Sequence, residues 1–324
     1  MKTIKYKSPG LFYKSMLAIL CLFLSSCNND LEDWNTKSKD VSALNFYSLS
    51  STFLYYDPPA EGFHLLGGIG IFPDSEEYKT LLGDLQFSTI PNFVLTQAQS
   101  DYWYPSNRLS SQNNQPLYMD FAVGKHRFVY SYFGYTQDAD NFRLNLPAAR
   151  LAEAEFDLEE GKYHTLYFVD DNVEEGAKAA YRVIKVENLQ QNSITEGKVN
   201  VRFVHLSADA GSIAVKLADS DGNELASGMP ENMSFSSASD YIPVDPEGLT
   251  QDGGLLFHIY LQGSSQPISV GVPANTGHSF DVLLHGFTKP HTLQLINKVA
   301  QNGAPSYKTI QVPVGFTATV RQMY

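Results

Sequence analysis

Val201-Arg202-Phe203-Val204-His205-Leu206-Ser207, laid over Leu44-Asn45-Phe46-Tyr47-Ser48-Leu49-Ser50 at an offset of 157, is the stretch on which the fold turns. It is the first match of a series. Residues 125–131 align with 254–260 at an offset of 129, and residues 160–168 align with 276–284 at an offset of 116, Gly161 falling on Gly277. A further apolar run follows each time, at 180–186 and at 292–298. Self-similarity in a fixed order is the signature of a repeated unit. The fall in offset from 157 to 129 to 116 gives the first copy 28 additional residues before its central hairpin and 13 after it. Loop insertions of that kind cost little entropy.

Nearly every apolar run is short. Residues 44–49, 127–132, 163–169, 181–186, 199–206, 213–217, 255–261, 280–284, 292–296 and 309–314 are rich in Val, Ile, Phe and Tyr and are bounded by Gly, Pro, Asp or Asn. That is the strand signal. Residues 74–83 and 148–160 carry the only helix-like stretches. The turns Ser220-Asp221-Gly222-Asn223 and Gln251-Asp252-Gly253-Gly254 supply the positive φ of tight hairpins. The chain is therefore expected to be all-β, with two tandem antiparallel β-sandwich domains. The first sandwich, with loop insertions, takes residues 41–190 and the second 198–324, with a polar seam at 189–197. Residues 305–324 have no counterpart in the first copy, and are expected to add a strand to the second domain or to lie across the junction.

The N-terminus sets the compartment. Lys2, Lys5, Lys7 and Lys14 precede an apolar run of nine residues, 16–24, and then Leu24-Ser25-Ser26-Cys27. Charged, apolar and small-residue regions in that order form a secretory leader. Nine residues of helix reach only about 14 Å, roughly half a bilayer's hydrocarbon core, so the run is too short to span. The pattern resembles that of Gram-negative lipoproteins, which implies removal of residues 1–26 and acylation of Cys27. Residues 27–40 then form a tether. Buried methylenes contribute about 0.8 kcal/mol each, so a triacylated cysteine holds its membrane firmly. Asn28 and the acidic residues that follow resemble an export signal for the outer face of the outer membrane; an ordinary solvated tether, with a periplasm-facing protein, is the alternative.

Cys21 leaves with the leader and Cys27 is consumed, so the mature chain is expected to hold no disulfide and no cysteine nucleophile. Without the four leader lysines, 19 basic residues face 35 acids, and the formal charge moves from -12 to -16. An acidic chain without a basic patch argues against nucleic acid as a partner.

Val201, Arg202, Val204, His205, Ser207, Asp209 and Ala210 make the chain resemble a family of secreted and surface bacterial domains, domain-of-unknown-function 4397 (DUF4397). That family opens on Val-Arg-x-Val-His-x-Ser-Pro-Asp-Ala; here Ala208 replaces the proline. The later stretch from Ser239 to Gly248 resembles the family's segment before its central hairpin. The resemblance covers about residues 198–300, with a fainter echo in 41–188 where Ser48 stands at the histidine position. It implies an immunoglobulin-like sandwich and carries over no catalytic residue.

Candidate sites are few. His205 beside Asp209 suggests a base and its orienting acid, but catalysis would need a nucleophile within reach; a structural histidine bonding across the strand-to-loop turn, with Asp209 in an Asx turn, is the preferred reading. His64, His126, His164, His258, His278, His285 and His291 show no metal spacing, and no metal or cofactor is expected. Asp219-Ser220-Asp221-Gly222-Asn223-Glu224 opens like a calcium loop but lacks its remaining ligands, and reads better as a hairpin. Asp170, Asp171, Asp245 and Glu247 read as loop acids. Trp103, with Tyr102 and Tyr104 in the first copy's insertion, and Tyr55 with Tyr56, are the candidate ligand-binding aromatics, because flat rings flanked by polar groups stack on sugars or dock proteins. The expected function is a non-catalytic binding or adhesion module, anchored through its lipid, for a glycan or a surface protein. Two alternatives stand beside it. One is an accessory subunit of a surface filament or uptake complex, pairing through the tail 318–324. The other is a glycan hydrolase using Asp157 with Glu159, or Asp209 with Glu231.

Overall fold

The computed structural model describes residues 40–52, 68–74, 93–95, 116, 118–133, 148–172, 174–188, 194–225, 228–251, 253–299 and 304–323. These residues form strands, bends and turns, with no α-helix among them. In the first half the strands are β1 (Val41–Ser48), β2 (Gly68–Pro73), β3 (Phe93–Leu95), β4 (Met119–Ala122), β5 (Gly124–Phe133), β6 (Ala148–Leu158), β7 (Tyr163–Asp170) and β8 (Tyr181–Asn188). The second half begins with β9 (Val199–Leu206), β10 (Ile213–Ala218), β11 (Ile242–Val244), β12 (Thr250–Gln251) and β13 (Gly254–Leu261). It continues with β14 (Ile268–Pro273), β15 (His278–His285), β16 (His291–Val299), β17 (Pro305–Val312) and β18 (Thr317–Gln322). All ten apolar runs read from the sequence lie in or across these strands.

The same pairings occur in both halves, residue for residue. Parallel β1 and β7 place Leu44 beside His164, and parallel β9 and β15 place Val201 beside Phe280, which reproduces the offsets 157 and 116. Antiparallel β5 and β6 pair Lys125 with Asp157, and β13 and β14 pair Gly254 with Pro273, offsets 129 and 116. The sheet β4-β1-β7-β8 is matched by β11-β9-β15-β18. Gly161 and Gly277, φ 68° and 75°, make the same left-handed turn into β7 and β15. Even a core ring pair recurs: Phe46 meets Phe128 edge-on at 5.8 Å, and Phe203 meets Phe257 edge-on at 5.2 Å.

Strand alternation sends successive side chains to opposite faces. Leu44, Phe46, Leu166, Phe168 and Val183 therefore leave β4-β1-β7-β8 on one side and close a core with Ile69, Ile71, Phe128 and Tyr130 of the sheet β3-β2-β5-β6. Val199, Val201, Phe203, Phe280 and Val282 do the same in the second half, against Ile213, Val215, Phe257 and Val272. The opposite faces meet each other. Tyr167, Val169, Ile184 and Val186 pack on Val204, Leu206 and Leu283, so both faces of each of these central sheets are covered and the sheets stack four deep.

Three details depart from the sequence reading. Residues 148–158 are strand, not helix: alanine and glutamate favour helix, but Ala152, Ala154, Phe156 and Leu158 alternate with Glu153, Glu155 and Asp157, and a strand buries that period. A bulge at Tyr130/Ser131 lets Ala149 reach the same core. Of the other helix-like stretch, 74–83, only Asp74 lies within the described residues. The partner of β15 is also different. Residues 292–298, aligned with β8, pair instead with β17, and it is β18 that lies against β15, with Phe280 beside Gln322 as His164 lies beside Glu187.

The hairpin β16-β17 thus interrupts the repeat, and it crosses to the first half. Leu295 and Ile296 enter the first core, with Tyr307 and Ile310 packed on it. Its first strand is bonded to the β7-β8 loop, Gly176 N–H donating to Thr292 O at 2.7 Å and Ala179 N–H to Gln294 O at 3.0 Å. Lys178 sits 4.3 Å over the Tyr307 ring. Residues 305–324, expected to have no counterpart in the first copy, do contain one: β18 takes the place of β8, while β17 pairs with β16 and sets Tyr307 and Ile310 against the first core.

Candidate functional site

The motif after β9 is built around two loops that leave the parallel pair β9 and β15 at the same end. Ser207 N–H donates to His205 Nδ1 at 3.3 Å, so the ring proton sits on Nε2 and is donated to Gly211 O at 2.8 Å. The imidazole is buried and holds the strand-to-loop turn, and burial lowers its pKa, with the Gly211 bond acting the other way. Both ring nitrogens are engaged by backbone, which leaves neither to act as a base.

Asp209 is not in an Asx turn. Its carboxylate reaches across to the β15-β16 loop, accepting the Thr288 N–H at 2.9 Å, the Lys289 N–H at 3.3 Å and the His291 Nε2–H at 3.1 Å. Burial pulls the carboxyl upward, but those donors outweigh it and hold it below the usual carboxylate value. The first half makes the equivalent tie with its acid on the other side. Asp170, at the end of β7, accepts Ser50 Oγ–H at 2.6 Å and Thr52 Oγ1–H at 2.7 Å, Thr52 standing where Asp209 stands in the second copy. Burial raises the Asp170 carboxyl, against those hydrogen bonds. In both halves a buried acid staples the loops at the end of the parallel pair.

The other candidates are also accounted for locally. Asp219 Oδ1 accepts the N–H groups of Asp221 and Asn223, at 2.9 and 2.8 Å, with Gly222 at φ 84°, which is a hairpin turn. Asp171 pairs with Arg182 and Asp245 with Lys198. Glu231 pairs with Lys216, on the surface, while the Asp209 side chain is only 4% exposed. An open cleft of about 640 Å³ lined by Pro290, Gln311, Pro313 and Val314 has no carboxylate in its wall. Cys27, Tyr55, Tyr56, Tyr102, Trp103 and Tyr104 lie outside the described residues.

What the sequence reading missed is the polar layer between the two central sheets. Arg202, on β9, is buried and bonds Asp281 of β15 through Nε at 2.9 Å and through Nη2, in a bidentate pair. Its Nη2 also donates to Asn188 Oδ1 at 2.8 Å, and its Nη1 to the Glu187 carbonyl, both in the first half. Tyr241 donates its hydroxyl to Asp281 at 2.8 Å while its ring lies 4.5 Å under the guanidinium. Burial works against the Arg202 charge, but Asp281 more than restores it, and its pKa is raised. The signal was present in Asn200 and Arg202, polar residues on alternate positions of β9, but that pattern reads as a solvated face until a second sheet is known to cover it.

Buried histidines give the chain an acid limit. Burial lowers His285 to about 4 from 6.5, and it lowers His164 and His205 in the same direction. A histidine whose folded pKa is depressed contributes stability that is present above its unfolded pKa and is lost as pH falls below it. Stability is therefore expected to fall between pH 6.5 and about 4, by roughly 3 kcal/mol from His285 alone. The raised Asp170 opposes this, while Asp209 adds to the loss further down. Urea midpoints taken across that window, flatter in His285→Gln, are the check.

No family model and no curated protein matches the chain.

Proposed function

We propose that the chain is a lipoprotein of the outer membrane, held by lipid on Cys27 at the cell surface, whose two tandem immunoglobulin-like sandwiches serve as a non-catalytic binding or adhesion module for a glycan or a protein. The leader ending Leu24-Ser25-Ser26-Cys27 carries the reading. The doubled set of strand pairings and the resemblance of residues 198–300 to DUF4397 support the two-domain form. The non-catalytic part is supported by the way the tempting groups are spent: His205 and Asp209 hold loops with every polar atom they have. In the alternative of an accessory subunit, the tail would pair with a neighbour through the outer edge of β18, the end strand of its sheet, since the inner edge is bonded to β15.

Mass spectrometry of the chain from its native membrane should find an N-acyl, diacylglyceryl cysteine at Cys27, and protease shaving of intact cells should release fragments of it. The chain from residue 28 onward is expected to bind a subset of probes on a glycan or protein array, with affinity falling about tenfold or more in Trp103→Ala. An array without signal removes the binding role, and an unmodified thiol at Cys27 removes the anchor.

A further inference from the structure

We infer that the outer edge of β18 pairs with β18 of a second copy of this chain, antiparallel about a twofold axis, so that two four-stranded sheets become one. The inference rests on the accessory-subunit reading of that edge and gives it a partner; it is independent of the lipid anchor and of array binding. Met323 N–H donates to Ser279 O at 2.8 Å, in register with the β15-β18 ladder, so Arg321, Thr319 and Thr317 turn their backbone groups toward β15. Alternate residues of an antiparallel strand face opposite edges, which points the N–H and C=O groups of Ala318, Val320 and Gln322 outward. Among the described residues nothing bonds them.

Native sheets usually guard such edges with charges, prolines, very short strands or covering loops. Other end strands here follow that rule. β10 is capped by a loop, Ile213 N–H donating to Met233 O and Val215 N–H to Pro230 O. β14, which lies beside β18 on the same flank, turns Ser269, Gly271 and Pro273 outward, and a proline offers no N–H. β8, the counterpart of β18, carries Arg182, Lys185 and Glu187, and Lys185 Nζ donates to the Asp157 carbonyl of β6 at 2.7 Å. β18 has none of these devices: Thr-Ala-Thr-Val-Arg-Gln holds no proline or glycine, pairs without a bulge, and buries its one charge, Arg321. Charge and register select the partner. The chain is acidic, yet β14 and β18, the flank that would meet its copy, hold no carboxylate. With Val320 opposite its own copy, Ala318 falls opposite Gln322 and Thr319 opposite Arg321, so no like charges meet and every outward backbone group of both strands is bonded. That self-complementarity is what a twofold interface requires.

Sedimentation equilibrium of the chain from residue 28 onward, at concentrations from about 1 to about 200 μM, should show a reversible monomer–dimer transition, as befits a small interface. Hydrogen exchange in the same samples should slow at Ala318, Val320 and Gln322 as the dimer forms, while Thr319 and Arg321, bonded to β15, stay protected at every concentration. Gln322→Pro removes an outward N–H and no bond to β15, so it should hold the thermal midpoint within about 2 °C and weaken dimerisation about tenfold or more. The exchange pattern of the parent chain decides the matter even if that variant folds poorly. A monomer throughout, which leaves the edge to water or to a strand of another protein, would overturn the inference, as would a dimer in which those three amides exchange as fast as in the monomer.

Discussion

Asp281→Ala is expected to destabilise the chain by about 3–5 kcal/mol, the usual cost of removing one partner of a buried ion pair. Asp281 is fully buried, and its loss strands the Arg202 guanidinium, also buried, between two sheets where water does not reach it. Tyr241 loses its acceptor as well. The cost is that of an uncompensated charge and not the worth of the pair, so the double variant Arg202→Met, Asp281→Leu should recover most of it, ending within about 2 kcal/mol of the parent on either side. Urea titration followed by near-ultraviolet circular dichroism reads both. Because Arg202 bonds Glu187 and Asn188, the Asp281→Ala transition should loosen both halves together. A loss under about 1 kcal/mol would mean that the pair is solvated.

Gly286→Ala is expected to cost about 4 kcal/mol, from left-handed backbone strain and overpacking together. Gly286 has φ +88°, and a methyl group there would lie 2.2 Å from the Gly315 carbonyl oxygen, which is backbone and cannot swing aside. This is the root of the hairpin, where the Phe287 carbonyl accepts N–H groups from both Gly315 and Phe316 at 2.9 Å and binds the outgoing and returning legs together. Gly211→Ala is the control. Its φ is +69° and its clash is with the end of the Gln262 side chain, which can move, so only backbone strain of about 1 kcal/mol remains. Thermal midpoints of the two variants should differ accordingly, and equal midpoints would show that the legs are free to part.

Most of the strand content was legible because Val, Ile, Phe and Tyr in runs of five to eight have few other fates. Register was legible too, through self-comparison: the offsets 157, 129 and 116 each hold a particular residue pair side by side in both halves. What failed did so for identifiable reasons. Composition suggested helix for β6, where only period separates the two outcomes. Residues 292–298 resemble β8 as any alternating strand does, so similarity alone could not reveal that a hairpin had been inserted ahead of the true counterpart. Arg202 and Asp281 occupy positions that a strand normally gives to solvent, and nothing local says that a second sheet will cover them. His205 bonds across the strand-to-loop turn as expected, but the Thr288 and His291 partners of its neighbour Asp209 lie 79 and 82 residues away, beyond any local motif.

A ribosome delivers residue 41 long before residue 295, yet the first core needs Leu295 and Ile296 to be closed. The earlier half is therefore the one that must wait. Contacts so distant along the chain form slowly, and until they form, the nascent polypeptide has an open apolar seam. For the same reason, cutting the gene at the polar seam yields an N-terminal piece missing part of its own interior, and its solubility would be restored by supplying residues 286–316 as a separate peptide.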